Sequence, residues 1–164
     1  MRGLKALSIS DKQVYAALCL HRFCKAKGIE HPSIDELVDH LISIKISSSP
    51  ADWECKGAAL ALCGRGDPLP ESLAELLPED VVEDFVHMVE FVVEVGLVDM
   101  YGALTTQPMD FLMRCVSILD AHGVERPVVT ELFEDRGVLD RIYGLRWGET
   151  ISPEQYVKLK RHFD

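Results

Sequence analysis

Glu83, His87, Glu90 and Glu94 stand at i, i+4, i+7 and i+11, a spacing that puts three carboxylates and an imidazole on one edge of a helix. Such groups ligate metals. Carboxylate-bridged helical metal sites, however, use Glu-x-x-His motifs on two helices with further glutamates on others. Here His87-Met-Val-Glu90 runs in the reverse order, and no second helix offers a matching set; His40, four residues after Glu36, gives only weak support. The expectation is that there is no metal site and no cofactor.

Other chemistry fares no better. A nucleophile needs a base beside it, and Cys19 and His21 point to different faces of one helix. No G-x-S-x-G elbow, Walker-type loop or G-x-G-x-x-G is present, so no catalytic residue is expected and the chain reads as non-enzymatic. Helical hairpins raise DNA binding, but their second helices carry Asp35, Glu36, Asp39 and Glu131, Glu134, Asp135. Phosphate would repel them, and no nucleic acid partner is expected. The triplet Arg65-Gly66-Asp67 lies among glycines and two prolines and reads as a turn.

What remains is charge. At ~100° per residue, Asp80, Glu83, Asp84, His87, Glu90 and Glu94 fall within an arc of about 120°, and Phe91 is the apolar residue inside it. Between Arg65 and Arg114 the chain has eleven acids and no Lys or Arg, so this segment holds essentially all of the net charge of −10. A concentrated negative field speeds encounter with cations or a basic protein. The expected site is therefore partner-binding: Asp80, Glu83, Asp84, His87, Glu90 and Glu94 around Phe91 as apolar anchor. The competing reading of the same residues is a solvated helix face. The class that fits is an acidic protein-binding domain of the immunity or inhibitor kind, which neutralises a basic partner. Two alternatives stand beside it: a helical scaffold or homo-oligomerisation module, and, least favoured, a carboxylate-metal enzyme.

The element carrying the stripe spans 79–95. Pro78 precedes it, Glu79 and Asp80 suit its first turn, and Gly96 is placed for a left-handed cap. Ten of its residues are apolar, so it must be covered on most sides and is expected at the centre of the fold. Ahead of it, 10–27 reads as a helix between Ser10 and Gly28, and a second begins at Ser33 with Glu36 completing a capping box. Further helices are expected over 51–63, 71–77, 109–122, from Pro127 to about 135 with another turn over 138–143, and from Ser152-Pro-Glu-Gln155 onward, with Tyr156, Val157 and Leu159 inward. The loop before the last one tucks Trp147 down.

No run alternates with period two, so the fold class is all-α: one domain over 1–164, seven to eight helices around 79–95, residues 1–9 a flexible lead-in. Residues 26–39 align without gaps to 121–134 with six identities, which suggests a duplicated hairpin; shared capping grammar explains it equally well. Five cysteines without a CxxC read as reduced core residues. No apolar run approaches the ~18 residues of a membrane span. With no secretory leader either, a cytoplasmic protein is expected.

Overall fold

Ser8, not Ser10, opens the helix on which the others pack. The computed structural model describes residues 2–128 and 147–164. A short α1 (Arg2–Lys5) ends in a turn. The Ser8 hydroxyl then accepts the backbone N–H of Asp11 and caps α2 (Ile9–Lys27), which stops at Gly28 in the left-handed region, φ 66°. Leu4 and Leu7 are buried, so the lead-in belongs to the core.

The chain continues through α3 (Pro32–Ile42), a 3₁₀ turn Ser43–Lys45, α4 (Pro50–Ala58), α5 (Glu71–Ala74), α6 (Val82–Leu97), α7 (Gln107–Ala121), α8 (Pro153–Lys160) and a closing 3₁₀ turn Arg161–Phe163. The fold is all-helical, with eight α-helices and no strand among the described residues. The helices expected after Pro127 and over 138–143, and the second half of the duplicated hairpin, lie outside the described residues.

The helix at the middle is α2 rather than the Val-rich stretch. Every residue from Leu7 to Leu20 is buried, whereas α6 keeps an outer edge. Helices α6 and α7 pack on each other and both pack on α2, with α3 closing a further side. Periodicity picked out α6 because its apolar residues are so many. It did find a helix over 10–27 but did not make it central, because its first three turns are buried while carrying polar residues on several sides. Phe85, Met88, Val89, Val92, Val93 and Val95 of α6 are buried. At ~1.5–3 kcal/mol each, their burial makes α6 a main source of stability.

Three local expectations change. Gly96 is not a cap: it lies inside α6, which runs to Leu97, and a Cβ there would meet Gln13 and Trp53. Its lack of a side chain serves close packing, not a turn. Helix α3 starts one residue before Ser33, at Pro32, with His31 as its cap: Nδ1 accepts the Ser33 N–H at 3.2 Å. Val157 is 55% exposed, while Leu159 two residues on is buried. The Ser152–Gln155 capping box forms as read, and Trp147 packs on the core.

Candidate functional site

The acidic stripe lies on the outward edge of α6. Glu83 and His87 are exposed, and Asp84, Glu90, Phe91 and Glu94 are half-buried. Asp80 is exposed too, but it sits in the turn before the helix, so it extends the stripe without sharing its period.

The stripe has few side-chain partners. His122, at the C-cap of α7, places Nε2 2.7 Å from Asp84 Oδ2, and its ring packs edge-on with Phe23 in the core. Glu83, Glu90 and Glu94 have no ion-pair partner among the described residues. Phe91 is not a bare anchor. His87 stacks on it at 5.8 Å between centroids, Phe111 of α7 tilts against it at 6.2 Å, and the Arg114 guanidinium lies 5.3 Å from its centroid. That is a cation–π arrangement. One cation, missed in the sequence because it closes the base-free segment, thus stands beside the stripe.

A second polar constellation, not foreseen, is buried at the start of α2. Lys45 Nζ lies 2.7 Å from Asp11 Oδ1 and donates to Ser10 Oγ at 3.1 Å. The Ser8 hydroxyl donates to Asp11 Oδ2 at 2.7 Å and stands 3.3 Å from Ser10 Oγ. Nearby, Lys12 is 3% exposed; burial pushes its amine down to about 8, against the opposing pull of Asp11 and Asp99. Asp99 in turn accepts the Thr105 backbone N–H at 2.6 Å and its hydroxyl at 2.7 Å, fixing the connection into α7. In sequence, Ser10-Asp11-Lys12-Gln13 looks like a solvated first turn. The one available signal was Ser8-x-x-Asp11, a cap spacing.

Lys45 and Ser10 have the separation of a base and a nucleophile. The Lys45 ammonium is, however, the matched cation of Asp11 and donates to both neighbours, so it offers no lone pair to the Ser10 proton. The pair holds the 3₁₀ turn to α2.

Elsewhere, Arg65 pairs with Glu54, and Asp67 accepts the Cys63 thiol at 3.0 Å, so both charges of the Arg-Gly-Asp turn are engaged locally. The five cysteines are free; Cys55 alone is exposed. Among the described residues, no group of three or more His, Cys, Asp or Glu side chains is placed to hold a metal, and no helix is long and apolar enough to cross a membrane. Comparison with family models, curated proteins and solved structures found no match to this chain.

Proposed function

We propose that the chain is a non-enzymatic, acidic protein-binding domain, and that a basic protein docks on the outer edge of α6, as in neutralisation by an immunity-type protein. The observation that carries this reading is that exposed Glu83 and half-buried Glu90 and Glu94 stand on one outward edge with no ion-pair partner among the described residues. Crowded like charges cost stability at low salt, and a partner that supplies the missing cations removes that cost. Half-buried Phe91, held between His87, Phe111 and Arg114, is the aromatic residue within the edge.

The alternatives lose ground for stated reasons. A twin helix would need the Val-rich face of α6, which α2 and α7 already cover. A metal centre at Glu90 would need carboxylates from the facing helix, where Phe111 and Arg114 stand instead.

The test is capture of a partner by the tagged chain from its host, then kinetics with the purified partner. The paired charge reversal Glu83→Lys and Glu90→Lys should slow association at low salt, and Phe91→Ala should speed dissociation. A purified partner that binds both variants like the parent removes α6 from the interface.

A further inference from the structure

The two tryptophans of the chain, Trp53 and Trp147, wall the same pocket, about 170 Å³ in volume, at the end of the bundle where α2 starts. Ile44 and Met100 add apolar surface, Ser10 closes the inner end and Glu149 stands at the rim. The size is comparable to apolar cavities of ~150 Å³ that take up benzene.

The walls are held in place before any ligand arrives. Trp53 Nε1 donates to the His40 carbonyl at 2.9 Å, and its ring stacks on His40 at 4.7 Å. The opposite wall is stitched down at two points. The Ser10 N–H donates to the Trp147 carbonyl at 2.9 Å, and the Ile151 N–H to the Lys45 carbonyl at 2.8 Å. Between them Gly148, at φ 89°, lies so close to Ser8 and Ser10 that a Cβ would be 2.3 and 2.5 Å from their hydroxyl oxygens. Only glycine lets Trp147 sit against the start of α2.

Charge selects what enters. Among the described residues, Glu149 is the one ionisable side chain in the lining. Lys45 lies behind Ser10 and is bonded to its hydroxyl, but its charge is matched by Asp11 at 2.7 Å. The Ser10 hydroxyl at the inner end is already engaged, accepting from Lys45 Nζ at 3.1 Å and lying 3.3 Å from Ser8 Oγ, so polar recognition falls to Glu149. Two tryptophans and one carboxylate in the lining favour a positively charged N–H donor, and the net charge of −10 enriches cations around the chain. We propose that this pocket binds a small organic cation, an ammonium carried on a flat apolar body about the size of a phenethyl group. This site is separate from the α6 edge and does not depend on the reading given to that edge.

Both tryptophans being in the walls makes their fluorescence a direct readout. The full chain is titrated with phenethylammonium chloride, with 2-phenylethanol and with sodium 3-phenylpropionate at constant ionic strength, and saturable binding is confirmed by calorimetry. The cation should saturate with a Kd on the order of 1 mM or tighter, and the neutral alcohol should bind about tenfold more weakly, with the anion weaker still. Glu149→Gln changes an exposed residue and leaves the fold intact. It should weaken the cation by about fivefold or more and leave the alcohol unchanged. Absence of saturation by the cation up to about 20 mM overturns the proposal. So does an alcohol or anion that binds as tightly, or a Glu149→Gln variant that binds the cation like the parent.

Discussion

Gly96 of α6 and Gln13 of α2 meet with no room for a side chain between them: a Cβ on Gly96 would stand 2.5 Å from Gln13 Oε1 and 3.0 Å from Trp53 Cη2. The same Gln13 donates from Nε2 to the Val92 carbonyl at 2.8 Å, one turn back along α6. An open helix position gains about 0.5–1 kcal/mol on Gly→Ala. Here overpacking of the buried crossing opposes that gain, at about 1–3 kcal/mol. Gly96→Ala should therefore destabilise by up to about 2.5 kcal/mol in urea unfolding, with an unchanged slope. A net gain in stability would mean that α2 and α6 do not cross closely at this point.

The buried Lys45–Asp11 pair gives a second expectation. Lys45→Met takes the bonded cation from buried Asp11, leaving the Ser8 hydroxyl as donor and Lys12 as the cation nearby, and should cost about 3–5 kcal/mol. Adding Asp11→Leu removes the orphaned charge and should recover a large part of the loss, although Ser8 then loses its acceptor. The double-mutant cycle is read by chemical denaturation. Equal and additive losses from the two substitutions would show that the groups do not act as a pair.

How much of this was legible in the sequence differs from one element to the next. The all-helical class followed from apolar spacing and from Gly28, Pro153 and Ser152 as punctuation, because capping is a local interaction that the chain states within four residues. The outward edge of α6 was legible too, since charges at i, i+3, i+4 and i+7 share a face on any helix. Which helix would be central was not. Burial of Asp11, Lys12 and Gln13 depends on Lys45, Asp99 and Val92, which lie far along the chain and become neighbours only after folding. The pocket between Trp53 and Trp147 was hidden for the same reason: its walls are 94 residues apart. Gly96 was misread because a glycine at a helix end and a glycine at a helix crossing look alike without the partner.

His40 sets a pH dependence. Burial, with Arg65 and Lys56 adding to it, pushes its imidazole down from the ordinary 6.5 to about 4. The unfolded chain therefore takes up this proton first as pH falls. The stability associated with neutral His40 is present in full above about 6.5 and is lost progressively as pH drops toward 4. An NMR titration should place the His40 ring midpoint near 4, and His40→Gln should remove this part of the acid slope in stability. A midpoint at the ordinary value would mean that the stacked Trp53–His40 pair opens to water.

The acidic edge makes a prediction about stability that bears on function. Glu90 and Glu94 are like charges at i, i+4, which cost about 0.2–0.5 kcal/mol. Glu94 also lies in the last turn of α6, where no basic residue offsets it. There a negative charge opposes the helix dipole by about 0.3–1 kcal/mol. Glu83, in the first turn, has the favourable end of the same dipole. Neutralising the two ends should therefore have opposite signs. Glu94→Gln should stabilise by a few tenths of a kcal/mol to about 1 kcal/mol, and Glu83→Gln should be neutral or slightly destabilising. Salt should raise the melting temperature of the parent chain between about 20 mM and 500 mM, and raise it less in the Glu90→Gln, Glu94→Gln variant, because screening and neutralisation remove the same repulsion. If the edge serves to dock a basic protein, that more stable double variant should also associate more slowly with its partner, stability and function moving in opposite directions. A double variant with unchanged salt response and unchanged association would leave Glu90 and Glu94 as residues of a solvated face.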